Sequence, residues 1–161
     1  MTKTDHELMV FKGFAEISGL DIDSGSIKSE SPPLPDISCT VSGQKHFFEL
    51  TRAVDQQIAN DIGYVLSEGR KTGYTRNSKI HSYSDVEIIT DAVTRKTAKQ
   101  YETDRDKVDL LIYSDGIYHG RLNEAIIEEE VNKLREQYKD RWGIIWIYDH
   151  PNQKLLVKPC K

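Results

Sequence analysis

Oxygen-bearing side chains flank a short turn in the first third of the chain. Asp36 precedes the first of two short runs rich in β-branched and aromatic residues, at 37–41, and Glu49 and Thr51 lie in the second, at 46–51. Two runs of this kind, separated by a serine-glycine turn, are typical of a β-hairpin. Carboxylate oxygens are the ligands that hard divalent cations such as Mg²⁺ prefer. A hairpin that brings these acids together can therefore form a metal site.

The register of this hairpin decides whether the two carboxylates meet. If the turn centres on Ser42 and Gly43, counting outward along both strands pairs Asp36 with Glu49. Opposed residues on antiparallel strands have Cβ atoms about 4.5–5.5 Å apart. Two carboxylates that close repel each other unless a cation or a shared proton lies between them. A slip of one residue, or a bulge, would separate the acids, and their spacing would then be accidental.

The residues around the turn resemble a known motif. Pro35-Asp36, a hairpin, a hydrophobic pair and Glu49-x-Thr51 are similar to the core of the PD-(D/E)XK nuclease superfamily, whose Glu-x-Lys ends in a catalytic lysine. The resemblance implies that Asp36, Glu49 and the backbone carbonyl of Leu50 bind Mg²⁺ or Mn²⁺. Thr51 occupies the position of the lysine. Some branches of the superfamily place the lysine on a following helix, and others have lost catalysis.

A helix is predicted ahead of the hairpin. Thr4, with Glu7 three residues later, favours a capping box that opens a helix ending near Ser18, with Gly19 as its stop. Phe11 follows Glu7 at helical spacing, which places Glu7 on the inward face. In the superfamily the first helix packs beside the metal hairpin and sometimes supplies an acid. The resemblance therefore makes Glu7 a candidate catalytic residue, although a capping role explains it equally well.

A later helix, predicted at 85–101 with Ser84 as its cap, carries the candidate lysine. Extending the apolar stripe of this helix brings in Lys96, whose ammonium can reach solvent or the hairpin acids. This helix and the strand after it resemble the segment that follows the hairpin in nuclease-like relatives whose motif ends in Glu-x-Thr. The resemblance implies that Lys96 is the displaced catalytic lysine, and Lys99 is the second candidate for that role. The stripe contains Val86, Ile89, Ala92 and Val93, and the pattern continues through Lys96, Lys99 and Tyr101 to an apolar strand at 109–113.

The most basic stretch of the chain, 70–79, follows a helix predicted at 53–68. It combines four basic side chains with a tyrosine and contains no acid. Such a loop suits contact with a phosphate backbone and stacking on an exposed base, although a solvated surface loop is equally consistent. The predicted nucleic-acid-binding residues are Arg70, Lys71, Tyr74, Arg76, Lys79 and, from the later helix, Lys99.

The C-terminal third is predicted to be scaffold. We expect a strand at 108–113 buried on both faces, a helix at 122–138, and strands at 142–148 and 154–157. The element order αββααβαββ predicts one α/β domain over 1–161, a sandwich with a mixed central sheet flanked by helices. This order agrees with the restriction-endonuclease-like fold that the resemblance implies, and also with other α/β domains. The helix residues expected to face inward are Ile126, Ile127, Val131, Leu134 and Tyr138.

Composition limits the class of protein. A chain of 161 residues suits one domain, and a formal net charge of −4 argues against a protein whose main task is to coat nucleic acid. The sequence contains neither an apolar run long enough to span a membrane nor a signal peptide, so we expect a cytoplasmic protein. Cys39 and Cys160 lack zinc-site spacing and are expected to be reduced thiols. Asp115, His119 and His150 are expected to be structural or surface residues.

The leading hypothesis is a metal-dependent nuclease that hydrolyses phosphodiester bonds of nucleic acid, with DNA as the expected substrate and Mg²⁺ or Mn²⁺ as its cofactor. Asp36, Glu49, Lys96, Thr51 and Glu7 are its candidate catalytic residues. The alternative is a catalytically inactive nuclease-like domain that binds nucleic acid or a protein partner. Thr51 in the usual place of the lysine and the acidic composition favour that alternative. A homodimer is compatible with both hypotheses.

Overall fold

The computed structural model describes residues 2–54, 84–101, 103, 108–115 and 122–159. Within these ranges the protein is an α/β structure with a six-stranded mixed sheet. Its helices are α1 Lys3–Ile17, α2 Asp85–Thr97 and α3 Glu124–Gln137, and a short 3₁₀ turn covers Ser24–Ser26. Its strands are β1 Lys28–Ser29, β2 Ile37–Val41, β3 Gln44–Arg52, β4 Val108–Ser114, β5 Ile145–Asp149 and β6 Lys154–Leu156.

The strands follow one another across the sheet in chain order, from β1 to β6. β1, β2 and β3 are antiparallel, β3, β4 and β5 are parallel, and β6 returns antiparallel to β5. Parallel neighbours need a crossover segment between them, and α3 lies in the segment between β4 and β5. The predicted mixed sheet is confirmed.

The hairpin of β2 and β3 has the predicted register. Ser42 and Gly43 both have positive φ, at 49° and 81°, which is the conformation of the two-residue turn that matches the twist of the strands. Val41 lies opposite Gln44, and the ladder extends to Ile37 opposite Phe48. The next step outward places Asp36 beside Glu49, so the alternative of a slipped register is excluded.

Two apolar clusters cover opposite faces of the sheet, and β4 contributes to both. Every residue of β4 is buried, as predicted for a strand covered on both faces. The cluster on the α1 face includes Phe11, Phe14, Phe48, Leu50, Leu111, Tyr113, Trp146 and Tyr148. The cluster on the face covered by α2 and α3 includes Ile89, Val93, Leu110, Ile112, Ile127, Val131 and Trp142.

The start of α1 differs from the prediction. The cap is Thr2 rather than Thr4, and its partner in the capping box is Asp5 rather than Glu7. Two overlapping threonine-x-x-acid patterns occur in the sequence, and the earlier one adds two residues of hydrogen-bonded helix. Because Asp5 fills the capping role, Glu7 is not needed for it, and Glu7 is buried.

The other helices begin and end close to the predicted positions, with two corrections. The capping box of Ser84 and Glu87 is confirmed, but α2 ends at Thr97, four residues before the predicted end. The prediction that Ile126 faces inward is wrong, because this residue is 55% exposed. Ile127 begins the buried stripe of α3, and Ile126 lies about 100° around the helix from it.

Some predictions concern residues outside the described ranges. The basic loop at 70–79, His119 and all but the first two residues of the helix predicted at 53–68 belong to this group. Those first two residues, Ala53 and Val54, are buried but not helical. Of the described helices, none has the length and apolar character needed to cross a membrane.

Candidate functional site

Asp36 and Glu49 lie together where β2 begins beside β3. The backbone N–H of Asp36 donates to Glu49 Oε2 at 3.2 Å. The backbone N–H of Leu50 donates to Asp36 Oδ2 at 2.9 Å. Glu49 is only 2% exposed, and Asp36 is partly buried at the edge of the pair. The structure thus brings the two predicted acids into one hydrogen-bonded arrangement.

Pro35 interrupts the ladder at this place. Counting outward from the pair of Ile37 and Phe48 brings Pro35 opposite Leu50, at a position where both backbone groups of Leu50 point toward β2. The side chain of Asp36 accepts the N–H of Leu50. Proline has no N–H, so Pro35 cannot donate to the Leu50 carbonyl. The Leu50 carbonyl, which the resemblance implies as a metal ligand, therefore points toward the strand that Asp36 precedes.

Lys96 reaches the acids from the last turn of α2, although 47 residues separate it from Glu49. Its Nζ lies 2.9 Å from Glu49 Oε1, and the two side chains are 11% and 2% exposed. Lys99 Nζ lies 3.6 Å from the same oxygen, but its side chain is 55% exposed. The structure places the preferred lysine in direct contact with the hairpin and the second lysine at its rim.

Glu7 and Thr51 complete the group of predicted catalytic residues. Glu7 is 8% exposed and pairs with the exposed Lys3 at 3.6 Å. Its charge is one of those that raise the pKa of Asp36. Thr51 is 5% exposed and, two residues after Glu49 on β3, points to the same face of the sheet. Thr51 therefore lies on the same face as Glu49, and Glu7 is near enough to Asp36 for its charge to act on that carboxyl.

Burial and like charge perturb the acids, whereas opposite charge stabilises the lysine. Desolvation, followed by the nearby charge of Glu49, raises the pKa of Asp36 to about 6. Burial alone would lower the pKa of Lys96, but the charge and hydrogen bond of Glu49 outweigh it and the net direction is upward. Lys96 is consequently a charged ammonium at neutral pH, whereas ionised Asp36 is destabilised until an additional cation compensates it.

A cavity of about 220 Å³ opens beside the acids. One wall is the segment that approaches β2, and the other follows α2. The lining residues are Pro32, Pro33, Leu34, Asp36, Glu49, Lys99, Gln100 and Tyr101. The cavity gives a ligand a route to both carboxylates from outside the sheet.

Tyr101 is the site residue to which sequence reasoning gave no role. Its ring lies 6.2 Å from that of Trp142 and 5.5 Å from the guanidinium of Arg141. Tyr101 lines the cavity together with Glu49, and its buried hydroxyl oxygen has no partner within the described ranges that meets the geometry of a hydrogen bond. The only sequence signal was its place at the end of the pattern that contains Lys96.

The donor set fits a hard divalent cation. In the described part of the chain, no group of three or more histidine, cysteine, aspartate or glutamate residues is arranged to hold a metal ion. Mg²⁺, however, is commonly held by one or two carboxylates and keeps several waters. Asp36, Glu49 and the Leu50 carbonyl offer that chemistry, and a cation there would relieve the repulsion that raises the pKa of Asp36.

The other buried acids have structural partners. Asp109 accepts hydrogen bonds from the N–H of Ile144 and the indole N–H of Trp146, both at 2.9 Å. Asp115 Oδ2 lies 2.7 Å from Arg52 Nε. His150 Nδ1 lies 3.3 Å from the Tyr148 hydroxyl. These contacts agree with the expectation that Asp115 and His150 serve the scaffold.

Of the predicted nucleic-acid-binding residues, Lys99 is the one that falls within the described ranges, and it lines the cavity beside Glu49. The others belong to the loop at 70–79, outside those ranges. Comparison of the chain with protein-family models, with curated proteins and with solved structures finds no match.

Proposed function

We propose that the protein is a metal-dependent nuclease that hydrolyses phosphodiester bonds, with DNA as its substrate. The observation that carries this proposal is the contact of 2.9 Å between the buried ammonium of Lys96 and the buried carboxylate of Glu49. A lysine brought from a distant helix to a pair of acids is the arrangement that the displaced-lysine branch of the PD-(D/E)XK superfamily requires. The hairpin register and the sheet between two helical layers support a restriction-endonuclease-like fold.

Each residue of the site has a separate task in this proposal. Asp36, Glu49 and the Leu50 carbonyl would hold Mg²⁺ or Mn²⁺, which when bound supplies Lewis-acid stabilisation of the phosphate and lowers the pKa of a water molecule. Lys96 would orient the attacking water or offset the negative charge that develops on the phosphorus centre. Thr51 carries no charge, so Lys96 must supply the positive charge that the usual lysine would give. Glu7 would add negative charge beside Asp36.

Calorimetric titration of Mg²⁺ and of Mn²⁺ tests the proposal, followed by incubation of the same samples with plasmid and single-stranded DNA. Asp36→Asn removes one carboxylate and keeps the shape of the side chain. Asp91→Asn is the matched control, because Asp91 lies on the exposed side of α2 in an ion pair with Arg95. We expect metal binding and cleavage in the wild type and in Asp91→Asn, and the loss of both in Asp36→Asn. A wild-type protein that neither binds metal nor cleaves DNA would overturn the proposal.

A second candidate function is a catalytically inactive domain that binds nucleic acid or a protein partner. One observation favours it: Glu49 Oε1 already has Lys96 and Lys99 as partners, and Oε2 accepts the N–H of Asp36. Two lysines can compensate the buried charge without a metal ion. Retained DNA binding in a wild-type protein that shows no heat of metal binding would support this candidate.

A further inference from the structure

If Lys96 takes part in catalysis as proposed above, Glu49 must give up its contact with the Lys96 ammonium. The ammonium can act on water or phosphate only if it moves away from Glu49 Oε1, which it contacts at 2.9 Å. Glu49 is 2% exposed, so we expect the group that replaces the lost donor and holds the carboxylate in position to be one of its buried neighbours. Even where a bound cation compensates its charge, the carboxylate then lacks a donor that fixes its orientation.

We propose that Tyr101 is a positioning residue whose hydroxyl replaces Lys96 as the buried donor to Glu49 when Lys96 turns toward the substrate. This inference rests on the proposed function, because it concerns the same carboxylate. Tyr101 lines the same cavity as Glu49, and its hydroxyl oxygen is buried with no partner within the described ranges that meets the geometry of a hydrogen bond. The Tyr101 hydroxyl can therefore donate a hydrogen bond to Glu49 once Lys96 has moved away.

The surroundings of Tyr101 hold its ring in place. Arg141 lies against both aromatic rings, 5.5 Å from that of Tyr101 and 4.1 Å from that of Trp142. The guanidinium of Arg141 donates to the carbonyls of Lys99 at 2.6 Å and Thr97 at 3.4 Å. These hydrogen bonds connect the segment after α2 to the segment before β5. They restrain the Tyr101 ring, so its hydroxyl loses little conformational entropy when it donates to Glu49.

A phenol hydroxyl suits this task better than a second lysine would. It is neutral, so it orients Glu49 without cancelling the negative charge that attracts a divalent cation. Groups that hydrogen-bond to metal ligands fix their orientation, and their removal typically lowers metal affinity or activity by about 10–100-fold. Lys99 does not serve in the same way, because its side chain is 55% exposed and carries charge.

The first test is a double-mutant cycle in the metal-free protein, and it does not depend on nuclease activity. In the wild type, Lys96 serves Glu49, so we expect Tyr101→Phe to change the melting temperature by no more than about 1 °C. In a Lys96→Met background, Tyr101 is expected to serve Glu49 already, and the same change should lower the melting temperature by a further 3–10 °C, about the worth of one hydrogen bond to a charged group. Equal effects in both backgrounds would overturn the inference.

The second test is calorimetric titration of Mg²⁺ into Lys96→Met and into Lys96→Met/Tyr101→Phe, because Tyr101 is expected to serve Glu49 only where Lys96 does not. Lys96→Met/Tyr138→Phe is the matched control. Tyr138 packs at the margin of the α2–α3 cluster and does not line the cavity beside the acids. In the Lys96→Met background we expect Tyr101→Phe to weaken Mg²⁺ binding by about tenfold or more and Tyr138→Phe to leave it unchanged.

The outcomes separate this inference from the proposed function. Equal Mg²⁺ affinity in Lys96→Met and Lys96→Met/Tyr101→Phe would overturn the role of Tyr101 and leave the nuclease proposal standing. A wild type that does not bind metal would overturn the nuclease proposal, and the double-mutant cycle would then decide alone whether Tyr101 is a reserve donor for Glu49. A large loss of stability in Tyr101→Phe with Lys96 present would make Tyr101 an ordinary structural residue and would also overturn the inference.

Discussion

Replacement of Lys96 by methionine is expected to destabilise the protein strongly. The change removes the ammonium and keeps most of the apolar stem. It leaves the Glu49 carboxylate, whose side chain is 2% exposed, without its nearest positive charge. Removing one partner of a buried ion pair costs about 3–5 kcal/mol. We expect a loss near 3 kcal/mol, because Lys99 lies 3.6 Å from the same oxygen and replaces part of the attraction.

Thermal and urea denaturation of four proteins measure this effect: the wild type, Lys96→Met, Glu49→Gln and the double variant. For a chain of this length, a loss near 3 kcal/mol corresponds to a fall in melting temperature of about 6–12 °C. The double variant should be more stable than the sum of the single changes predicts, with a coupling energy of about 1–3 kcal/mol. Arg95→Met is the matched control, because Arg95 forms an exposed pair on the same helix and should cost no more than about 0.5 kcal/mol.

Two results would refute this reasoning. One is a loss below about 1 kcal/mol in Lys96→Met, and the other is additivity of the two single changes within about 0.5 kcal/mol. Either result would mean that the buried pair does not form in solution. If the proposed function is correct, Mg²⁺ should stabilise Lys96→Met more than it stabilises the wild type, because the cation replaces the missing positive charge.

Three further predictions concern single side chains. Burial raises the pKa of Asp36 to about 6, so the ionised carboxylate opposes folding. Asp36→Asn should therefore raise the melting temperature near pH 8, and this gain should fade as the pH falls through about 6 toward 4. A gain that does not depend on pH would contradict this prediction. Asp109→Ala should cost about 2–5 kcal/mol in urea denaturation, because a backbone N–H and the Trp146 indole N–H both lose their acceptor, and a loss below about 1 kcal/mol would contradict their burial. Burial and the charge of Asp109 raise the pKa of Cys39 to about 11, so in a Cys160→Ser variant a thiol reagent should label Cys39 only on unfolding; rapid labelling of the native protein would refute its burial.

Local chemistry made part of the site predictable. The turn needs positive φ at two adjacent residues, and Ser42 and Gly43 meet that need, so the register and the pairing of Asp36 with Glu49 follow from the sequence. The capping box at Ser84 fixes the phase of α2 in a similar way. With that phase known, the apolar stripe places Lys96 on the inward face.

Features that depend on packing between distant segments were not predictable in this way. The first turn of α1 contains two equivalent capping patterns, and only the whole helix decides between Thr2 and Thr4. The role inferred for Tyr101 depends on Arg141 and Trp142, which lie about 40 residues farther along the chain and contact its ring. Helical periodicity extended α2 through Tyr101, whereas the helix ends at Thr97 and the chain then turns toward Trp142.

The division of the apolar residues into two clusters has a consequence for how the protein responds to a ligand. Glu49 and Lys96 lie on the face that α2 covers, and Glu7 belongs to α1 on the other face. Asp36 directly precedes β2 and lies at the strand ends, between the two layers. Layers of this kind can open as separate cooperative units, which hydrogen exchange detects as groups of amides with different protection. A ligand bound at Asp36 would contact the margins of both layers, so local unfolding of one layer would be coupled to unfolding of the other. Slower exchange in α1 and α2 together would then report occupancy of a site that neither helix forms alone.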